Sequence, residues 1–278
     1  MNMHTITRRL RHAATPLMRP AVLHVKRRQF FSPQGFGDCF GVFDSFDAAR
    51  AWLPRSAEFD EAALAEEYVQ VRTQRVFAYD YPVMWWLERA MRDDGAATVL
   101  DIGGSVGVHY YAYRRFFDMP ANLHWHVAEV PAIASVGREL AALNDASALH
   151  FTQDFAHSAA AADVWLSAGA LQYVEEGRID RMLEKTGARP RHILLNKLPL
   201  YRGPDFVTTQ NIGAGCYAPV HIYNRLRFVR GIEAMGYTLQ DEWSTPERSL
   251  HLPGHPDKTI AAFSGLYFCA NAPEDASN

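Results

Sequence analysis

The residues best suited to chemistry lie in Asp101-Ile-Gly-Gly-Ser-Val-Gly107. Asp101 stands in an apolar run with Val99, Leu100 and Ile102, and Gly103, Gly104, Ser105 and Gly107 follow it. A turn this rich in glycine lets backbone N–H groups approach a ligand closely. Residues 108–117 then carry aromatic and basic side chains that suit a helix. Strand, glycine turn and helix in that order are how an α/β protein cradles a nucleotide-like molecule. Taken alone, the turn could serve a dinucleotide, a flavin or no ligand at all.

The surrounding elements must position that turn. Short apolar runs at 97–102, 124–129, 149–154, 163–168 and 192–196 read as strands. Helical patterns separate most of them, at 132–143 and roughly 175–186. This alternation implies parallel crossovers and a doubly wound sheet. Residues 236–243 and 264–270 close the chain as two strands with no helix between them, an antiparallel hairpin. The expected fold class is therefore α/β, a doubly wound, mostly parallel seven-stranded sheet with an N-terminal helical extension. Ser45 starts a helix that Pro54 stops, residues 59–78 read as helical, and Pro82 opens a further helix ending at Asp93-Asp-Gly95. Residues 199–219 read as a long irregular stretch, with a helix over about 222–235.

Composition narrows the class of protein. The chain has 278 residues, enough for one sizeable α/β domain with a small appendage. A net charge of −3 argues against broad nucleic-acid binding. Three widely spaced cysteines support neither a disulfide framework nor a zinc knuckle, and a reducing cytoplasm fits best. No apolar run is long enough for a membrane span. His124 and His126 share one face of a strand, but no third ligand stands nearby, so no metal is expected. Residues 1–37 form a basic arm without Asp or Glu, 38–96 a helical extension, 97–270 the ligand-binding domain and 271–278 a disordered tail.

The ordered set of motifs resembles class I S-adenosylmethionine (SAM)-dependent methyltransferases. Asp101–Gly107 is similar to the family's acidic-x-Gly-x-Gly-x-Gly motif, with Ser105 in place of the middle glycine. Val127-Ala-Glu129, Thr152-Gln-Asp-Phe155 and Ser167-Ala-Gly-Ala-Leu-Gln-Tyr173 resemble the ends of its second, third and fourth strands. A closer likeness, over residues 38–270, is to a bacterial methyltransferase subfamily from polysaccharide and natural-product gene clusters. It rests on Gly41–Ala49, Tyr81-Pro82, Tyr110-Tyr111, Leu171-Gln-Tyr173, Thr209-Gln210 and Gly236-Tyr237. The resemblance implies SAM as cosubstrate and a small-molecule acceptor. Asp101, Gly103, Gly104, Ser105 and Gly107 would face the methionine part, and Glu129 the ribose hydroxyls. Asp154 and Phe155 would meet adenine, with Ser167, Gly169 and Gln172 beside the ligand.

The catalytic group is less defined. Several O-methyltransferases of this fold place a histidine base just after the fourth strand, where this chain has Gln172, which cannot take a proton. Replacements within the sequence are Tyr173, Asn196 with Lys197, and Tyr217 or His221. Tyr79 and Tyr81 offer helix-start packing or an aromatic lid over the sulfonium. The expected activity is methyl transfer to an oxygen or nitrogen acceptor in secondary metabolism or glycan modification. The alternative is a SAM cyclase, in which the α-amino group attacks the γ-carbon to give azetidine-2-carboxylate and methylthioadenosine. Tyr173 and Asn196 would then hold the sulfonium and amine of the bent substrate.

Overall fold

The computed structural model describes residues 20–152 and 154–272. Its strands are β1 (Cys39–Phe43), β2 (Thr98–Ile102), β3 (His124–Ala128), β4 (Leu149–Thr152), β5 (Val164–Ala168), β6 (His192–Leu198), β7 (Leu200–Tyr201), β8 (Phe206–Gly213), β9 (Cys216–Asn224), β10 (Tyr237–Thr245) and β11 (Phe263–Ala270). The helices are α1 (residues 20–30), α2 (Phe46–Trp52), α3 (Ala65–Gln70), α4 (Tyr81–Asp93), α5 (Val108–Tyr113), α6 (Pro131–Leu143), α7 (Phe155–Ala161), α8 (Ile179–Thr186) and α9 (Arg225–Glu233). Local chemistry sets several boundaries. Ser45 caps α2 by accepting from the Ala48 N–H, and Asn224 caps α9 through the Arg227 N–H. Prolines 82 and 131 sit in the first turns of α4 and α6, and Gly187 ends α8 in the left-handed region.

Seven strands form the main sheet in the order β10-β11-β6-β5-β2-β3-β4. The five from β4 to β6 run parallel, whereas β11 pairs antiparallel with both β6 and β10. This is the doubly wound, mostly parallel sheet with a closing hairpin that the sequence pattern predicts. Alternation along the strands makes two cores. Val99, Trp125, Val127, Val164, Leu166 and Leu194 pack under α4, α5 and part of α6. Leu100, Trp165, Ile193, Leu195, Leu266 and Phe268 face the other way, under α7, α8 and α9. Most of these side chains are wholly buried, each contributing roughly 1.5–3 kcal/mol of transfer free energy.

The stretch expected to be irregular is instead ordered. Residues 206–224 form the β8–β9 hairpin, joined by β1 and β7 into a four-stranded sheet of order β1-β8-β9-β7. Its turns hid the strands: Gly203, Pro204, Gly213, Gly215 and Pro219 read as punctuation in one dimension. Pro219 fits within β9, opposite Thr209 of β8. The helix read from about residue 222 begins at Arg225, once β9 has ended. Residues 59–78, read as helical, contain α3 flanked by short 3-10 turns at Ala62–Leu64 and Arg72–Gln74. The extension 38–96 thus includes a strand, β1, as well as helices. Part of the basic arm is helical, and Phe30 is buried with its carbonyl accepting from Asn211. Residues 1–19 of that arm and 273–278 of the tail lie outside the described residues.

Candidate functional site

The glycine turn sits at the carboxyl end of β2, between the ends of β3 and β5. Gly103 has φ +70°, and its N–H donates to the Ala128 carbonyl at the end of β3. A Cβ there would overlap Ala170, just past β5, so the turn lies flat against that strand's exit. A Cβ on Gly104 would overlap the Asp101 carboxylate. Asp101 itself is wholly buried and accepts from His109 Nδ1 at 2.9 Å and from Trp125 Nε1 at 3.2 Å. It therefore braces the turn from below. Gly107 caps α5 at φ +89°.

Glu129 locks the turn from the side. Its two oxygens accept from the Ser105 and Val130 N–H groups, each at 2.9 Å. Ser105 is held at φ +53°, a conformation that costs a non-glycine residue free energy and that clusters at functional sites. Two further lone-pair positions on the carboxylate stay available for hydroxyl donors. Burial pushes the Glu129 carboxyl above its ordinary range, against the two backbone hydrogen bonds. Over this corner packs the α3 segment, where Ala65, Leu64, Tyr68 and Val69 meet Val106, Ile133 and Val130.

The remaining cofactor candidates divide. Gln172 is buried; its Nε2 donates to the Gly169 carbonyl at 3.0 Å, leaving its buried Oε1 without a partner among the described residues. An orphaned amide oxygen beside a glycine turn is an acceptor position for a ligand N–H or O–H. Gly169 lies at φ +93° at the exit of β5. Ser167, in contrast, is wholly buried and its hydroxyl donates to the Ile102 carbonyl, which makes it a tie between β5 and β2. Asp154 is exposed and caps α7 through the His157 N–H at 3.0 Å. Phe155 meets Trp165 edge-on inside the second core.

Among the catalytic candidates the geometry reorders the set. Asn196 is wholly buried with both polar atoms bonded: its amide nitrogen donates to the Tyr79 carbonyl at 2.7 Å, and its oxygen accepts from Trp243 Nε1, the Lys197 N–H and the Thr245 hydroxyl. It ties β6 to the start of α4 and to β10. The Tyr173 hydroxyl donates to Gln210 at 2.5 Å, its ring meets Phe59, and burial pushes the phenol well above its ordinary range. Tyr81 is 55% exposed beside Phe116, with no described contact to the glycine turn. Tyr217 packs on Phe30 and Phe31, while His221 bonds the Glu175 carbonyl and packs on Phe46.

Tyr79 and Lys197, each close in sequence to one of these candidates, meet one another. Tyr79 is buried, stacked on Phe77, and its hydroxyl accepts from Arg72 at 3.0 Å. The Lys197 ammonium nitrogen lies 4.9 Å from the centre of the Tyr79 ring. Arg248, from the β10–β11 loop, bears electrostatically on Tyr68, Tyr79, Tyr173 and Lys197 alike. Sequence reading passed over Tyr68, Arg72 and Arg248. Tyr68 and Arg72 carried only a helical-face spacing as a signal, and Arg248 carried none.

Two other features lie apart from this corner. A cavity of about 530 Å³ is lined by Glu175, Arg178, Lys185, Asp205, His221 and Tyr223, and by none of the glycine-turn residues. On β3 and β4, His150 joins His124 and His126 with ring centres 5.2–6.5 Å apart. His124 stacks with both other rings while His126 and His150 are tilted, and among the described residues no group of three or more His, Cys, Asp or Glu is placed to hold a metal ion. No helix of the described residues is long and apolar enough to cross a membrane.

No family model matches the chain, and no curated protein matches it. Solved structures of similar fold include the mitomycin 7-O-methyltransferase MmcR, at 19% identity and TM-score 0.43 over 69% of this chain and 54% of that one. The chain thus spans about half the length of that enzyme. The N-terminal domain of EvdMO1, determined in the presence of S-adenosylhomocysteine (SAH) and D-fucose, has 14% identity and TM-score 0.47 over 72% of this chain and 85% of its own. The 1,6-didemethyltoxoflavin-N1-methyltransferase of Burkholderia thailandensis, with bound 1,6-didemethyltoxoflavin and SAH, has 14% identity and TM-score 0.41 over 79% and 92%. At these identities and scores the likeness is one of fold outline.

Proposed function

We propose that the protein is a SAM-utilising enzyme that transfers a methyl group to an oxygen or nitrogen acceptor. The observation that carries this reading is the corner formed by the Gly103–Gly107 turn, the Glu129 carboxylate braced by two N–H groups, and the orphaned Gln172 Oε1. Glu129 suits the ribose hydroxyls, the turn the methionine part, and Gln172 a donor on the same ligand. Asp154 and Phe155 are the proposed adenine neighbours, with Asp154 also serving as a helix cap. When bound, SAM supplies an electrophilic methyl on a sulfonium, so the protein's share is positioning, desolvation and proton removal. Natural-product or glycan modification is the setting that the motif resemblance implies, and the three scattered cysteines fit the cytoplasm.

Titration calorimetry with SAH checks the first part. Wild-type protein binds, and Glu129→Gln weakens binding about 10- to 100-fold, the size expected for charge-assisted hydrogen bonds to hydroxyls. Absence of SAH and SAM binding by the wild type would overturn the reading. The cyclase alternative draws on one observation, that residues 171–173, just past the exit of β5, carry an amide and a phenol and no imidazole. Its proposed clamps, Tyr173 and Asn196, already have partners for their polar atoms. Incubation with SAM alone separates the reactions: methylthioadenosine marks cyclisation, whereas SAH formed only with an added acceptor marks methyl transfer.

A further inference from the structure

Lys197 stands out among the lysines of the chain. The sequence holds four lysines, 26, 185, 197 and 258. Lys26 bonds Gln29, Lys185 pairs with Glu176 and Lys258 lies by Asp257. The Lys197 nitrogen has neither a hydrogen-bond acceptor nor a carboxylate partner among the described residues, and meets only the face of Tyr79. Its backbone is held at φ +56°, although lysine has no intrinsic reason to adopt that region. Asn196 enforces the conformation: its side-chain oxygen accepts from the Lys197 N–H, and its amide is tied to Tyr79. Gly169 provides the space, since a Cβ there would lie 2.8 Å from Lys197 Cε. Gly169 adjoins Ala170, which lies against Gly103 of the turn. The amine is therefore placed by strain and tight packing at the exits of β5 and β6, beside the proposed SAM corner.

We infer that Lys197 is the proton acceptor for the reacting nucleophile, a role that rests on the SAM reading above. As the nucleophile's bond to carbon forms and the carbon–sulfur bond breaks, sulfur keeps the electron pair and becomes a thioether. The nucleophile's proton passes to the neutral Lys197 amine, which becomes an ammonium. An oxygen or nitrogen acceptor is served this way, and so is the α-ammonium group that must lose a proton before cyclisation. Burial brings the amine down to about 8, helped by Arg248 and Arg72 and opposed by Asp80 and Asp101. Asp80 does not form an ion pair with it, being engaged by the Phe77 N–H and the Tyr113 hydroxyl. Tyr79 is the remaining titratable neighbour, and burial holds it in the neutral phenol form.

The test needs no acceptor. With [13C]lysine-labelled protein, the four lysine Cε resonances are followed against pH, and Lys197→Met identifies residue 197. Lys197→Gly serves instead if the methionine variant does not fold, because glycine tolerates the positive φ. The titration is repeated with saturating SAH and with SAM, which differ at the reacting sulfur by a methyl and a positive charge. A unit charge about 6 Å away, at an effective dielectric of roughly 20–40, lowers an amine's midpoint by about one to two pH units. The expected result is a free midpoint near 8, with the SAM complex titrating at lower pH than the SAH complex. Equal midpoints in the two complexes overturn the proposal, because the amine is then remote from sulfur. A rise with both ligands overturns it too, marking Lys197 as a cation for the methionine carboxylate. If neither ligand binds, the SAM reading falls and takes this inference with it.

Discussion

The carboxyl ends of β2 and β6 solve similar problems with opposite materials. Each carries a non-glycine residue at positive φ, Ser105 after β2 and Lys197 at the end of β6. At β2 the turn is built from backbone, and its strained residue is held by a carboxylate, Glu129, that it bonds directly. At β6 the strained residue is held by its neighbour Asn196, whose side-chain oxygen and nitrogen both have partners, while the lysine amine meets no acceptor among the described residues. The difference teaches that strain at one end shapes a receptor for hydrogen bonds. At the other end it holds a chemically reactive group in place. Two adjacent residues of β6 thus differ: the polar atoms of Asn196 are bonded within the fold, whereas the Lys197 amine meets an aromatic face.

Asn196→Leu tests the structural half of that contrast and has the largest expected effect. It leaves the Tyr79 carbonyl, the Lys197 N–H and the Trp243 indole without partners, at about 1 kcal/mol or more each, so urea unfolding is expected to show a loss of about 4 kcal/mol. Retained stability with lost SAH affinity would instead make Asn196 a ligand-contact residue. At the β2 end, Gly104→Val drives a branched side chain into the Asp101 carboxylate. A destabilisation of about 3 kcal/mol is expected by the same measurement, together with loss of SAH binding by calorimetry.

A smaller effect sharpens the other half. The Lys197 amine titrates near 8 in the folded chain against 10.5 ordinarily, so between these values the unfolded chain binds more protons. Wild-type stability therefore rises with pH across that window relative to Lys197→Met. The difference is at most about 3 kcal/mol, from the separation of the two midpoints at 1.36 kcal/mol per pH unit. Parallel curves for the two proteins from pH 7.5 to 10.5 would show that burial does not penalise the charged amine. The smallest effect is expected at β4: Asp154→Ala removes the α7 cap and costs about 1 kcal/mol in thermal unfolding. A much larger loss of SAH affinity in that variant would support its adenine contact.

Legibility differed sharply between these regions. The alternating strands, the Pro82 helix start and the Ser45 cap were readable because period and capping are local. The β8–β9 sheet was not, because Gly203, Pro204, Gly213, Gly215 and Pro219 mask strands whose partners, including β1, are distant in sequence. In the candidate site, Gly103–Gly107 and Glu129 were legible as types at a spacing. Asp101 and Ser167 were legible as polar residues at strand ends, but not as inward-facing braces. Tyr81 was a reasonable choice over Tyr79, since an alternating pair does not declare which member is buried. Tyr68, Arg72 and Arg248 reach the corner only because α3 and the β10–β11 loop fold over it.

By itself the sequence determined the α/β class, the seven strands of the main sheet and the place of the glycine turn. Those depend on hydrophobic period and on glycine's freedom at positive φ, which act over a few residues. Tertiary structure alone decided which polar atoms already have partners. Asn196 and Ser167 are bonded to groups from other elements, whereas Gln172 Oε1 and the Lys197 amine have no hydrogen-bond partner among the described residues. Whether a buried polar group is satisfied depends on what the rest of the chain brings within about 3 Å of it, and no local spacing encodes that.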